Sequence, residues 1–392
     1  MADITLLATA DWDHPIWTNK QHVAVSLARL GHRVLYVDSL GLRGLRAQAS
    51  DWRRVVRRLR RGVCPPRQVA QGLWVHTPLV CPGARGRVMT ALNRGLLQVG
   101  LAWARTCIRL RCEWLWTYNP RTLACLDLSA YRQVIYHSVD RIQSQPGMDS
   151  QDLDRWEVQL CRRASVVFVT SPALADRLRP LNSQVYYFPN VADHAHFAAA
   201  LDPRTQLPEL LMAIPKPRVG FIGAISAYKL DLDLLEHMAI ARPDWSFVLI
   251  GPVGEGDPST DVRALQRLRN IYFISSKPYA ELPAWLAGMD AAVLPLQCNN
   301  YTDAMFPMKF FEYLAAGRPV VATHIRSLQS YADWAHLAAP CPDAFVDHLR
   351  SAMAEDSPAR RQQRSAFAAG FTYDRRTEQM LEHVRALEAC HG

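Results

Sequence analysis

Residues 294–323 read LPLQCNNYTDAMFPMKFFEYLAAGRPVVAT, and their punctuation decides the fold. A short apolar run ends at Leu294-Pro295 and a polar loop follows. Pro307 suits the first turn of a helix, because its ring fixes φ and its missing N–H is not needed there. Gly317-Arg318-Pro319 stops that helix, and the β-branched Val320 and Val321 open another strand. A helix entered this way projects free backbone N–H groups, which hold a phosphate or sugar oxygen. Lys309 adds a positive charge to the first turn, a mildly costly choice against the helix dipole unless an anion is bound. Glu312 lies one turn further in, where its carboxylate can accept two hydroxyls of a ribose; the plain alternative is a solvated helix glutamate.

Outward from this stretch the same alternation recurs. Val219–Ile222, Phe247–Ile250, Ile271–Ile274, Ala291–Leu294 and Val320–Ala322 read as strands with helices between them. The first 190 residues repeat the scheme with strands at Ile4–Ala8, Arg33–Val37, Leu115–Thr117, Val134–Tyr136, Val166–Thr170 and Val185–Phe188. A helix over Gln21–Leu30 puts Val23, Leu27 and Leu30 on one face and ends at Gly31. Ser150 is positioned to cap a helix with Leu153, Trp156 and Leu160 on one face, and Ser171-Pro172 starts another. Four prolines between residues 201 and 217 mark a linker. Short β-branched runs separated by helices require parallel sheets with right-handed crossovers. The expected architecture is α/β: two Rossmann-like parallel-sheet domains, 1–200 and 218–375, facing a central cleft at the carboxyl ends of their strands. A closing helix over 376–392 is expected, one that can cross back to the first domain.

Composition narrows the class. The chain has 392 residues, 49% hydrophobic, with a formal charge of +9. Disorder and low complexity are excluded by that apolar fraction. The charge is concentrated: Gly41–Cys112 holds 15 Arg, no Lys and one acid, a local +14, and the remainder nets −5. Within it Asp51–Arg61, DWRRVVRRLRR, sets Trp52, Val55, Val56 and Leu59 on one helical face and Arg53, Arg54, Arg57, Arg58 and Arg61 around it. That pattern fits an anionic membrane surface, against the plain reading of a packing helix with solvated arginines. Nucleic acid is not expected as a partner, since no RNA-binding, zinc-finger or helix-turn-helix pattern accompanies the basic segment. Nine cysteines without C-x-x-C spacing read as reduced thiols. The N-terminal residues carry no signal-peptide pattern. Val88–Ala104 is the best membrane-span candidate, but Asn93, Arg94 and Gln98 interrupt it, and an ordinary buried helix is expected instead.

Pro307-Met-Lys309-Phe-Phe-Glu312-Tyr-Leu-Ala-Ala-Gly317-Arg-Pro319-Val-Val resembles the signature of GT-B glycosyltransferases of the retaining family 4, particularly the bacterial branch that builds surface polysaccharides. The resemblance implies that Glu312 binds the donor ribose and that the amides around Met308 and Lys309 face the sugar or diphosphate. Val185–Phe197, VYYFPNVADHAHF, resembles a second family segment, with Val191 and Ala192 in its Gly-Val places. Arg218–Leu235 resembles the family's Gly-rich turn at Gly223. The arginine usual after that strand is absent, which shifts phosphate neutralisation to Lys229, Lys309 and helix-end amides; the plain alternative for Lys229 is a surface lysine. The first of the family's paired glutamates falls at Ala304; Asp303, one residue short, is either a donor-sugar contact or an unrelated loop acid. Val134–Asp140 resembles the family's Tyr-Asp-x-x-Asp turn, with His137 in the first acidic place. His137 is then a ligand of the transferred sugar or acceptor, or a structural histidine, and Asp140 an orienting group. Trp17, Asn19 and Lys20 are expected on the acceptor, and Lys277 and Tyr279 at the nucleobase.

Three D-x-D triplets (Asp11/Asp13, Asp152/Asp154, Asp231/Asp233) do not read as metal ligands: i and i+2 point apart on a helix, and no metal or other cofactor is expected. The resulting expectation is a metal-independent hexosyl transfer, with retention, from a nucleotide-sugar to a glycan or polyprenyl-linked acceptor, in the cytoplasm at the inner face of the cell membrane. If the transfer inverts, Asp140 or His137 is the base. The alternatives are another GT-B nucleotide-sugar enzyme such as an epimerase, a nucleic-acid-binding protein, or a non-catalytic binding protein.

Overall fold

A computed structural model describes residues 1–14, 17–40, 60–80 and 86–391, except for the side chains of 87, 390 and 391. The chain divides into two compact units, one of Met1–Thr170, Leu174–Phe188 and Arg376–Gly392, the other of Ser171–Ala173 and Pro189–Arg375.

The first unit is built on β1 (Asp3–Leu7), β2 (Arg33–Val37), β3 (Arg67–Ala70), β4 (Leu73–His76), β5 (Trp114–Thr117), β6 (Gln133–Ser138), β7 (Val166–Val169) and β8 (Val185–Tyr187). Their spatial order is β3-β4-β2-β1-β5-β6-β7-β8. β1, β2, β5 and β7 are buried nearly throughout, as strands covered by helices on both faces must be. The order reverses between β1 and β5, so the loops after these two strands border the natural ligand crevice of this sheet. Every pairing is parallel except β3 with β4. That antiparallel edge pair departs from the all-parallel expectation: β3 is short, polar and exposed, and lacks the apolar run by which a strand is recognised.

The second unit contains β9 (Arg218–Ile222), β10 (Ser246–Ile250), β11 (Ile271–Ile274), β12 (Ala291–Leu294), β13 (Val320–Thr323) and β14 (His336–Ala338). They run parallel in the order β11-β10-β9-β12-β13-β14. Here the switch point lies between β9 and β12.

Three sequence expectations change. Residues 201–217 do not stand apart as a linker. They pack into the second unit, where Leu211 and Ile214 are buried and the Arg218 guanidinium donates to the carbonyls of Met212, Ile214 and Gly288. Asp149, rather than Ser150, caps the helix Ser150–Arg163, accepting from the Asp152 amide at 3.2 Å. The buried stripe of that helix is Leu153, Glu157, Leu160 and Cys161, so Trp156 lies off it. Finally, the helix Arg87–Ile108 is not an ordinary buried one: Leu97, Leu101 and Ala104 face the core while Val88 and Val99 stand in solvent.

Candidate functional site

In the second unit, β9 ends at Ile222 and the chain turns at Gly223. A Cβ on Gly251, in the turn after β10, would lie 2.0 Å from the Gly223 carbonyl oxygen, so the two turns cross where only glycine fits. A Cβ on Gly223 would be 3.9 Å from the Lys309 side chain, which packs over the same turn. Lys309 Nζ donates to Glu312 Oε2 at 2.7 Å, and both side chains are largely enclosed. The first-turn cation is thus neutralised by the acid three residues on, which corrects the expectation that it needs an anion for compensation. Next to Glu312, the Tyr313 hydroxyl accepts from the Ile222 amide at 2.8 Å and fixes the end of β9. Burial raises the pKa of this hydroxyl, so it remains protonated.

Tyr279 is gathered to the same place. Burial, then the charges of Glu312 and Asp193, push its hydroxyl far above the ordinary value. Its ring stacks on His196 at 4.2 Å, and His196 Nε2 lies 2.8 Å from the Tyr279 carbonyl. Asn190 and His196, from the later part of the Val185–Phe197 segment, therefore help build this site, with Asn190 donating to the Phe306 carbonyl just before Pro307. Lys229 Nζ lies 5.0 Å from the Tyr228 ring and 5.6 Å from that of Tyr301, a cation between two aromatic faces. Its carbonyl accepts from the Gln297 amide, which ties the loop after β9 to the loop after β12. Lys277 instead sits over Trp285 at 5.2 Å. Asp303 is exposed, with no side-chain partner among the described residues, and Met308 precedes the short helix Lys309–Ala315. The structure thus joins Gly223, Lys309 and Glu312 directly, with Tyr279 in the field of the glutamate.

In the first unit, the loop after β1 leads into the helix Asn19–Arg29. Asn19 is buried and accepts from the Arg376 guanidinium at 2.5 Å. Lys20 Nζ lies 5.8 Å from the ring of Tyr118, which follows β5, and Tyr118 stacks on His137 at 4.8 Å. Trp17 packs on Trp12 and His22. His137 is fully buried, and neither ring nitrogen has a hydrogen-bond partner among the described residues. Burial, reinforced by Arg376 and Lys20, holds its pKa well below 6.5. The ring is therefore neutral at pH 7, a hydrogen-bonding group and a weak base. Asp140 lies just beyond β6, half-buried. On the opposite face of β6, Tyr136 donates to Glu157 Oε1 at 2.6 Å, and Ser138, Gln143 and Arg177 also bond this buried carboxylate. Glu157 thereby fixes the strand that carries His137.

Arg376, Tyr118 and Glu157 escaped the sequence reading. Arg376 reaches its place only through the return of the C-terminal helix, which leaves no local trace. Glu157 did leave one, an acid on an apolar helical stripe. Trp52, Arg53, Arg54, Arg57 and Arg58 lie outside the described residues. Arg61 is exposed and pairs with Asp13 at 2.5 Å, as Arg67 does at 2.8 Å. Of the other D-x-D acids, Asp152 holds Arg121 and Arg155, Asp154 holds Arg177, and Asp231 caps the helix Leu232–Ala241. Among the described residues no three His, Cys, Asp or Glu are grouped to hold a metal ion.

Comparison with known proteins bears on the second unit and on the fold. Residues 216–355 match the family model described as "Glycosyl transferases group 1". A protein of Bacillus subtilis assigned to teichuronic acid biosynthesis as the glycosyltransferase TuaH is 38% identical over 110 residues. That match spans 28% of this chain and 27% of the relative. Sucrose-phosphate synthase from Thermosynechococcus elongatus superposes with a TM-score of 0.72 over 100% of both chains at 15% identity. HepE of Anabaena in complex with UDP-glucose gives 0.69 over 98% of this chain and 99% of its own, also at 15% identity. Residues 216–355 thus carry the group 1 glycosyl transferase pattern within a chain whose two Rossmann-like α/β units have the fold of GT-B glycosyltransferases.

Proposed function

We propose that the chain is a glycosyltransferase moving a hexosyl group, with retention, from a nucleotide-sugar to a hydroxyl of a glycan or polyprenyl-linked acceptor in cell-surface polysaccharide synthesis. The observation that carries this reading is the enclosed Lys309–Glu312 pair on the Gly223 turn, at the switch point of a parallel sheet and inside the segment that matches the glycosyl transferase model. A buried carboxylate is retained at such a cost only where it has a partner or a ligand.

In this reading Glu312 accepts the ribose hydroxyls and Lys309 turns from it toward the diphosphate. Lys229, presented by its two aromatic faces, adds the second positive charge. Both stabilise the charge that develops on the leaving diphosphate, an electrostatic contribution. Retention is balanced as follows. The acceptor oxygen bonds the anomeric carbon on the face the diphosphate leaves, the anomeric C–O bond breaks, and the acceptor proton passes to the departing phosphate oxygen. No metal enters the scheme. Neutral His137, with Asn19, Lys20 and Asp140, supplies hydrogen bonds on the sugar and acceptor side. Lys277 and Tyr279 flank the base, and Asp303 is free to meet a donor-sugar hydroxyl. The work is done at the inner face of the cell membrane, with the arginine-rich 51–61 segment against its anionic surface.

HepE is known with UDP and UDP-glucose, so uridine nucleotides come first in a test. A thermal-shift series with UDP, GDP and ADP is expected to raise the transition for one of them, since a ligand of the native state stabilises it. Glu312→Ala is expected to abolish that shift while the circular dichroism of the native fold persists. Undiminished nucleotide affinity in the variant would overturn the assignment, and donor turnover without a transferred sugar would point to an epimerase.

A further inference from the structure

The helix Arg87–Ile108 is apolar on its exposed side as well as on its covered one. Leu97, Leu101 and Ala104 pack inward. Outward it presents Val88, Leu92, Leu96, Val99 and Trp103, spaced so that they share one face, with Val88 81% and Val99 72% exposed. Exposed Ala91, Gly95 and Ala102 fill the gaps between them, so the apolar strip runs nearly the whole length of the helix. With 22 residues the helix is about 33 Å long. Its sequence contains no acid and no lysine. Arg94 stands exposed beside the strip, and Arg109 and Arg111 beyond its C-terminal end.

A continuous apolar strip of this kind is unusual on a surface that faces water alone. Crossing a bilayer is excluded for it, since no described helix is long and apolar enough. We infer that the helix Arg87–Ile108 lies flat on an anionic lipid bilayer, with its apolar strip at the boundary between headgroups and acyl chains and its arginines on the lipid phosphates. Apolar burial combines there with attraction of the arginine collar to negative lipid. A second copy of the chain fits less well, because a two-fold contact through this face sets one arginine collar against another. The inference deepens the membrane part of the proposed function and rests on that part, but it uses none of the nucleotide-site residues.

The test is flotation of the full chain with vesicles of phosphatidylcholine alone or with 30% phosphatidylglycerol. The wild type is expected to float with the anionic vesicles, less so at high salt. The double variant Leu92→Glu/Val99→Glu, changed only at exposed positions, is expected to partition about tenfold less or weaker. Its nucleotide-induced thermal shift should equal that of the wild type, so a lost shift reports on the nucleotide site and lost flotation on the helix. Unchanged flotation of the double variant overturns the inference and leaves the 51–61 segment as the contact. So does a wild type that ignores both vesicles, or one that dimerises without lipid through a contact the double variant abolishes.

Discussion

Gly251 shows how tightly single residues are held at the proposed donor site. Its φ of +148° and the 2.0 Å approach of a would-be Cβ to the Gly223 carbonyl leave no room for any other residue. Gly251→Ala must move one turn away from the other, and the obstacle is backbone, which does not yield as a side-chain end does. The expected loss is at least about 2 kcal/mol in urea unfolding. Nucleotide affinity should fall with it, because Lys309 packs over the same Gly223 turn. A variant with unaltered stability and affinity would show that the crossing has slack.

At the level of elements, the strand β6 is pinned from behind by one carboxylate. Glu157 lies on the buried stripe of the helix Ser150–Arg163 and takes hydrogen bonds from Tyr136, Ser138, Gln143 and Arg177. Glu157→Ala leaves the buried donors of Tyr136, Ser138 and Gln143 without this acceptor and Arg177 with Asp154 alone, and a cost of about 3–5 kcal/mol is expected in chemical denaturation. Glu157→Gln, which keeps an acceptor oxygen, should cost less. Alternation along β6 puts Tyr136 and His137 on opposite faces. Loosening the first therefore frees the second, and accelerated amide exchange along Gln133–Ser138 should report it.

Over the whole molecule, buried histidines set the response to acid. Burial lowers His32 to about 4, reinforced by the N-terminal amine and Arg385, and burial alone lowers His76 to about 4. His137 is likewise held well below 6.5. Each is neutral when folded and takes a proton near 6.5 when unfolded. Their contribution is therefore complete above about pH 6.5 and is lost as pH falls from there toward 4, at up to about 1.4 kcal/mol per pH unit for each histidine. Urea midpoints at pH 7.5, 5.5 and 4.5 should decline accordingly. His76→Leu should flatten the decline by one histidine's share, since neither nitrogen of His76 has a partner among the described residues.

Much of this was written locally. The strand-loop-helix pattern around Pro307 and Gly317 fixes parallel α/β units, because periodicity, proline and glycine act within a few residues. The same pattern singled out Lys309 and Glu312, whose i,i+3 spacing makes them neighbours on any helix. The rest depended on chain segments remote in sequence. Arg376 meets Asn19 across 357 positions, and residues 201–217 read as a linker until Leu211 and Arg218 are seen packed. The face that the helix Arg87–Ile108 turns to solvent was equally hidden. Its sequence states that the helix is apolar, but only the tertiary packing decides which apolar residues are covered, since burial is a property of neighbours and not of the residue itself.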